Sequence, residues 1–237
     1  MPFARIVRGA RPVMAAPLVL VLVLASTSAC SGSAKPAAAG SSSPTPSPSS
    51  APRSDSAAVA DVVRAEHVAL TTASFRFVAT EVLSGTATHA TTVRGDVVRA
   101  QGVSYTLSTS GHTSQVVRIK GATYVRTVPG TWKRLRHAQT IVDPVGSLIV
   151  LLRGMSGLAA RASGTTVVVM GQLQPPAATA AQIPTAGNRP ANVALTLDAA
   201  GHVVRVVVTT TARNGATAVT LTTTYFSFGA VPPLRAP

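Results

Sequence analysis

Apolar and polar residues alternate along several stretches of the chain, with the period of two that is typical of half-buried β-strands. Each stretch places its apolar side chains on one face and its polar side chains on the other, as in an antiparallel sheet with one solvated face. The apolar sets include Phe75, Phe77 and Ala79; Val103, Tyr105 and Leu107; and Val117 and Ile119.

Short glycine-containing segments between these stretches predict tight hairpins. Ser110-Gly111 and Gly121 each separate two consecutive strand patterns. Asn214-Gly215 separates the last two patterns, and Asn-Gly is a strong hairpin signal because both residues tolerate positive φ. The last three strands of the chain are therefore expected to be antiparallel neighbours.

Two segments instead show helical spacing of apolar residues. The first is 57–70, which Ser54 or Asp55 can cap. The second begins at Asp143-Pro144, since the carboxylate can accept free amide hydrogens and proline fits the first helical turn.

The second helix is expected to stop at Gly154, and 154–157 then has the composition of a loop that ends a helix. Residues 175–190 indicate a linker or a weakly helical arm. The order helix, five or six strands, helix and further strands predicts an α+β fold, an antiparallel sheet with helices on one face.

The N-terminus has the layout of a secretory signal. A basic region is followed by a short apolar run, 13–25, and then by small residues up to Ala29. The run is too short for a membrane-spanning helix. We expect residues 1–29 to be a signal peptide.

The only cysteine, Cys30, follows directly, and Ser28-Ala29-Cys30 resembles the end of a bacterial lipobox. Thr27 stands where that motif usually has leucine. The alternatives are ordinary cleavage before a free thiol, or a cysteine buried in the core. A free thiol is uncommon in secreted proteins, and the polar tract after Cys30 does not suit a core residue. We therefore expect a lipidated Cys30 with a diacylglycerol anchor and palmitate.

Residues 30–54 are expected to form the lipidated cysteine and a disordered Ser/Pro/Ala tether, because nothing in 31–54 can fill a core. Residues 55–237 should form the folded domain, a length sufficient for one sizeable core. The expected location is the extracytoplasmic face of the cell membrane, where the domain is held by its lipid anchor.

Charge points to an anionic surface. The chain has 21 Lys and Arg against 7 Asp and Glu, a formal net charge of +14. Its densest basic string in the folded part is 132–137, and Lys133, Arg134 and Arg136 are candidates for contact with membrane headgroups. The alternative is a solvated segment of a basic protein. Nucleic acid is excluded as a partner by the expected compartment.

Catalytic and cofactor motifs are absent from the sequence. There is no G-x-S-x-G elbow and no glycine-rich phosphate loop, and the histidines and carboxylates are scattered. We expect a protein that is not an enzyme and has no metal and no cofactor.

Several segments, in this order, resemble the actinobacterial lipoproteins of the LppX, LprA, LprF and LprG type, which are related in fold to the LolA carriers. These are Cys30; 73–75; 117–119 and 121–126; Trp132; Asp143-Pro144; 197–205; and 224–233. Residues 159–192 match least.

The resemblance implies a curved antiparallel half-barrel with helices on its concave face and an apolar cavity between them. It further implies that the protein binds lipid or lipoglycan acyl chains and carries or presents them at the outer face of the cytoplasmic membrane. A membrane transporter is a candidate partner. The residues expected to line the cavity are Phe75, Phe77, Val103, Tyr105, Val117, Leu148, Ile149, Leu152, Val206 and Leu221.

Two other functions stay open. The same apolar residues could fill a solid core in a non-catalytic adaptor or structural lipoprotein that acts through a protein partner. The other possible function is that of a hydrolase whose catalytic triad assembles from residues distant in the sequence. A carrier should have a continuous apolar cavity, whereas an adaptor should have an exposed apolar patch.

Overall fold

The computed structural model describes residues 52–84, 89–136, 143–183, 189–211 and 218–237. All of them belong to one compact unit, Pro46–Pro237. The predicted signal peptide, Cys30 and most of the predicted tether lie outside these residues, so those expectations remain predictions.

The described residues form three helices and twelve strands. The helices are α1 (Asp55–Thr71), α2 (Pro144–Gly154) and α3 (Pro175–Ala180). The strands are β1 (Pro52–Arg53), β2 (Ser74–Ser84), β3 (His89–Val98), β4 (Gly102–Thr109), β5 (His112–Ile119), β6 (Ala122–Val128), β7 (Lys133–Arg134), β8 (Met155–Ser163), β9 (Thr166–Leu173), β10 (Ala191–Leu197), β11 (Val203–Thr211) and β12 (Ala218–Phe226).

All strands belong to one open, curved antiparallel sheet. Its order is β1-β8-β9-β10-β11-β12-β2-β3-β4-β5-β6-β7. The last strand, β12, pairs with β2 and so joins the C-terminal strands to the N-terminal meander. The predicted α+β fold class is confirmed. The two residues of β1 pair with β8, so the sheet includes residues from the end of the segment expected to be tether.

Local chemistry explains where the two longer helices begin. The Ser54 hydroxyl accepts a hydrogen bond from the Ala57 amide at 3.4 Å, and the Asp143 carboxylate accepts one from Gly146 at 3.0 Å. Pro144 occupies the first turn of α2, where its missing N–H has no cost. Both predicted helices are therefore present at the predicted positions. None of the described helices is long and apolar enough to span a membrane.

Two of the predicted turns are tight hairpins. Ser110 and Gly111 connect β4 to β5 with φ values of 42° and 83°, and Lys120 and Gly121 connect β5 to β6 with 48° and 80°. Positive φ at both central residues is the signature of the type I′ turn, whose twist matches that of paired strands.

The C-terminal hairpin has the predicted pairing. β10, β11 and β12 are antiparallel neighbours. The pair Thr211↔Ala218 is centred on the position between Asn214 and Gly215, as the predicted hairpin requires. The Asn-Gly turn itself lies outside the described residues.

The structure corrects the expectation for 154–157. Gly154 ends α2 as expected, but Met155 begins β8 directly instead of a loop. Strands β8 and β9 then form a hairpin that the sequence pattern did not predict. Within the segment read as a linker or weakly helical arm, 175–180 form the short helix α3.

The core lies between the helices and one face of the sheet. Helix α1 buries Ala58, Val62 and Ala65, and α2 buries Leu148, Leu151 and Leu152. These side chains form one cluster with buried residues from both halves of the sheet. The fully buried large side chains from the strands are Phe77, Val169, Leu173, Leu195 and Val208.

Candidate functional site

Most of the residues predicted to line a cavity lie together on the helix side of the sheet. Seven of them belong to the buried cluster: Phe75, Phe77, Val103, Tyr105, Leu148, Leu152 and Val206. Leu221 is partly buried against that cluster, and Ile149 is half-buried on α2. The predicted set therefore marks the interface between the helices and the sheet.

Val117 lies on the opposite face. Its ladder partners are Ser104 and Tyr124, whereas its neighbour Val116 pairs with Tyr105 and Val125, which belong to or contact the core cluster. Because consecutive strand residues point to opposite faces, Val116 and not Val117 is the residue that faces the helices. We call the side of the sheet that carries Ser104, Val117 and Tyr124 the outer face.

A narrow apolar gap, which we call the seam, separates α1 and α2 from the sheet. Its volume is about 20 Å³, far below the roughly 300–1,000 Å³ of ligand pockets. Its walls come from α1, from the start of α2 and from the strands and turns beneath them. The lining residues are Val68, Ala69, Thr72, Phe75, Val145, Leu148, His202, Val203, Tyr225 and Phe228.

Aromatic rings form the floor of the seam. The ring of Phe75 packs edge-on against Tyr225, with centroids 5.6 Å apart, and lies 6.4 Å from Phe228. Burial raises the pKa of Tyr225, so its phenol stays neutral. The floor therefore offers an uncharged surface suited to hydrocarbon.

One end of the seam is polar. The imidazole of His202 stacks on Phe228 with ring centroids 4.2 Å apart, and its Nδ1 lies 3.0 Å from the Asp198 carboxylate. Burial raises the pKa of Asp198, but hydrogen bonds from the side chain and backbone of His202 outweigh it and hold that pKa below its ordinary value. Asp198 therefore stays ionised and fixes the His202 ring at the seam wall.

Glu81 is a carboxylate on the helix side of the sheet. It lies in β2 opposite Leu221 and Thr91, and burial raises its pKa. Phe75 and Phe77 of β2 are buried, whereas residues 78–83 of β2, which follow them, are half-buried and include this acid.

The predicted basic contact residues do not share one face. Lys133 and Arg134 make up β7 and pair with Val125 and Tyr124 respectively, so Arg134 is on the outer face and Lys133 on the helix side. Arg136 follows β7 and is exposed. The structure therefore does not bring the three side chains together into one patch.

Among the residues that the structure describes, no group of three or more His, Cys, Asp or Glu could hold a metal ion.

Comparison with known proteins gives the fold a reference. No protein family model and no curated protein matches the chain. Several solved structures match, and two mycobacterial lipoproteins are among them. LprF from Mycobacterium bovis has a TM-score of 0.53 and 14% identity, over 77% of this chain and 98% of LprF. The lipoprotein LppX from Mycobacterium tuberculosis has a TM-score of 0.51 and 15% identity, over 77% of this chain and 100% of LppX.

The domain has the LprF and LppX fold. The match spans nearly the whole of both mycobacterial proteins, so the likeness concerns the complete architecture and not one motif. The resemblance that the sequence indicated is confirmed at the level of the fold.

Sequence reasoning missed part of the seam. Tyr225 follows Val219, Leu221 and Thr223 with a period of two, so the strand pattern alone could have placed it on the helix side. His202 and Phe228 belong to a turn and to the segment after β12, where no periodicity applies. No signal in the sequence marks their stacking.

Proposed function

We propose that this protein is a membrane-anchored lipoprotein that binds the acyl chains of a membrane lipid or lipoglycan between its helices and its sheet. It carries or presents that lipid at the outer face of the cytoplasmic membrane, and a membrane transporter is its partner. The observation that supports this proposal is the apolar seam, with its aromatic floor, in a domain that has the LprF and LppX fold.

Binding requires the seam to open, because its volume of about 20 Å³ is far below the roughly 300–1,000 Å³ of ligand pockets. The contacts between α1 or α2 and the sheet are largely apolar and therefore non-directional. The ion pair between Arg153 of α2 and Glu66 of α1 is exposed, and such pairs contribute little to stability. A small shift of the two helices can therefore enlarge the seam without breaking buried polar bonds.

The anchor is the lipidated Cys30, and 31–51, the residues before β1, act as its tether. A flexible coil of this length spans ~25 Å, and an extended polyproline form spans up to ~65 Å. The domain can thus reach lipids in the outer leaflet without leaving the membrane. We propose no catalytic role for it.

The test uses two tryptophan substitutions on neighbouring turns of α2. Leu148 lines the seam, whereas Leu152 is 2% exposed within the packed cluster. Leu148→Trp should fill the seam and reduce bound lipid at least several-fold. Because the closed seam is only about 20 Å³, it should also lower Tm, by no more than Leu152→Trp does. Leu152→Trp should overpack the core, at a cost of about 1–3 kcal/mol. Lipid is measured by mass spectrometry of extracts from full-length protein, and stability by thermal unfolding.

Two outcomes contradict the carrier proposal. One is the absence of co-purifying lipid from the wild-type protein after expression in a related host. The other is unchanged lipid content in Leu148→Trp together with intact folding, which would move any lipid away from the seam.

The adaptor function is the second candidate, and α1 carries the observation that favours it. Val59, Val63 and Leu70 are 50%, 60% and 38% exposed on one side of the helix, beside its buried face. Exposed apolar stripes are typical of protein-binding surfaces. A photo-crosslinker at position 63 in cells should then capture a single protein partner, and Val59→Asp in the same chain should abolish that crosslink without changing lipid content.

A further inference from the structure

The outer face of the sheet carries arginines in one row. Arg94 of β3 is connected by successive ladder pairs to Arg205 of β11, through Val78 and Thr224. In the other direction it is connected to Arg126 of β6 through Thr106 and Gln115. The three arginines therefore belong to one line of directly opposed residues that crosses seven strands.

The same line continues to the far edge of the sheet. Arg205 opposes Thr196, Thr196 opposes Val168, and Val168 opposes Arg161 of β8. Each arginine is thus three strands from the next, or about 14 Å at the usual strand spacing. Arg161, Arg205 and Arg94 are exposed. Four arginines at an even interval present a broad cationic row rather than a single anion pocket.

Few acidic groups lie on the outer face beside this row. Among the described strand residues, Asp96 is the only carboxylate on the outer face, and it is paired with Arg76 at 3.3 Å. The helix side holds more acid, with Asp55, Asp61 and Glu66 on α1. The domain is therefore electrostatically asymmetric, with its basic side away from the helices.

Exposed apolar side chains flank the arginine row. Phe226 lies in the adjacent row, and Met170 and Val128 lie in the row on the other side; their exposed fractions are 40%, 40% and 43%. An open depression of about 560 Å³ is bounded by Phe226, Arg76 and Arg94. Arginines that can reach phosphates, beside apolar tips that can enter the headgroup region, are the chemistry of an interfacial membrane contact.

We propose that the outer face of the sheet docks on the surface of an anionic phospholipid bilayer, with Arg94, Arg205 and Arg161 on headgroup phosphates. Docking in this orientation turns α1, α2 and the seam away from the membrane to which the chain is anchored. The proposal does not require that the seam holds lipid, so it can be tested independently of the carrier function.

Trp132 is a natural reporter of this contact. It is the only tryptophan of the chain, and its ring lies 4.9 Å from the guanidinium carbon of Arg126 at one end of the row. Full-length protein is reconstituted in vesicles of phosphatidylcholine with phosphatidylglycerol, or of phosphatidylcholine alone. Each vesicle contains lipid with a nitroxide on its headgroup, which quenches Trp132 only at close range. The N-terminal apolar segment can attach the chain to either vesicle, so the quenching and not the attachment is measured.

The test variant is Arg94→Glu with Arg205→Glu. Each arginine near an anionic surface contributes about a fivefold factor, so the ratio of docked to undocked domain should fall at least ~30-fold. The control is Lys120→Glu with Arg235→Glu, which changes the net charge equally. Lys120 and the chain just before Arg235 both contact Gln101 at the turn end of the sheet, away from the row. Arg94→Gln with Arg205→Gln provides a milder variant if the glutamates impair folding, as judged by Tm.

Support requires strong quenching in the phosphatidylglycerol vesicles, weak quenching in phosphatidylcholine, loss in the test variant and retention in the control. Equal quenching in both vesicles, or equal loss in test and control variants, would overturn the proposal. Soluble polyphosphate is the competing anion. If it shifts Trp132 fluorescence in a manner that depends on Arg94 and Arg205 while the vesicles produce no quenching, the row binds a soluble polyanion and the membrane proposal is wrong.

Discussion

Glu81 shows how one side chain on the helix side of the sheet can couple stability to pH. Burial raises the pKa of its carboxyl above the value of 4.5 that applies to an unperturbed glutamate. The ionised form is therefore better tolerated in the unfolded chain. The free energy of unfolding should fall as pH rises from 4.5 through the folded-state pKa, and the penalty should be complete at neutral pH.

Glu81→Gln removes this penalty because the amide stays neutral. We expect the variant to unfold at a higher temperature than the wild type at pH 7, and the difference to shrink below pH 4, where both side chains are uncharged. Circular dichroism melts at both pH values measure it. The control is Glu66→Gln, whose carboxylate is paired with Arg153 at 2.7 Å and which should not gain stability at pH 7. A difference that persists unchanged at low pH would assign the effect to packing instead.

At the residue scale, the sequence pattern could identify apolar positions but not always their face. Val116 and Val117 are adjacent, and both are buried. Alternation alone cannot choose between them, and a choice one residue off reverses every side chain in the strand. The ladder decides it, since Val116 opposes Tyr105 and Val125. The face of Phe75, Phe77 and Tyr105 could be predicted, because in each strand only one choice of face buries the aromatic side chains.

At the element scale, the hairpins hold the meander in register. Gly121 adopts a φ of 80° in the turn between β5 and β6, and a Cβ at this position would meet no atom within 4 Å. Gly121→Val should therefore lower the free energy of unfolding through backbone strain alone, by about 1 kcal/mol or more. Gly121→Asn should retain most of the stability, because asparagine tolerates the left-handed region. Chemical denaturation of the two variants and the wild type compares them; equal losses in both would show that the glycine serves another purpose.

The elements that the sequence predicted share strong local signals. Asp143 and Pro144 mark the start of α2, and glycine turns mark β4 to β6. Strand β8 has no such signal. Its residues are mainly alanine, serine and glycine, and a register shift between Ser156 and Ala159 interrupts the alternation. Strand β9 has a continuous apolar run, 167–170, which the period alone cannot assign to strand or helix.

At the scale of the whole molecule, the order of the sheet depends on contacts that no local pattern contains. β12 lies beside β2, although more than 130 residues separate Tyr225 from its partner Phe77. The volume of the seam also depends on contacts between residues that are far apart in the sequence. The residues Phe75, Leu148 and Tyr225 could line a cavity or fill a core, and only their packing leaves the gap at about 20 Å³.

Anchoring belongs to the same scale, because it determines which surface the domain can reach. Cys30 follows a predicted signal peptide and precedes a tract that cannot form a core. Cys30→Ala should leave the protein either unprocessed or released, without an acyl chain, while the folded domain keeps the wild-type Tm. Mass spectrometry of the N-terminal peptide and separation of membrane from soluble fractions measure the two properties. Thr27→Leu restores the usual lipobox residue and should accelerate processing of the wild-type cysteine.

The lipid anchor is rejected if the Cys30→Ala protein matures as before and remains in the membrane fraction. In that case the outer-face contact alone would have to hold the domain, and removal of Arg94 and Arg205 in the same chain should release it. If the anchor is present, any Cys30→Ala protein that loses its signal peptide is released by the single substitution, because a few headgroup contacts provide only a weak and salt-sensitive attachment. The pair of variants therefore assigns membrane attachment either to the lipid on Cys30 or to the arginine row.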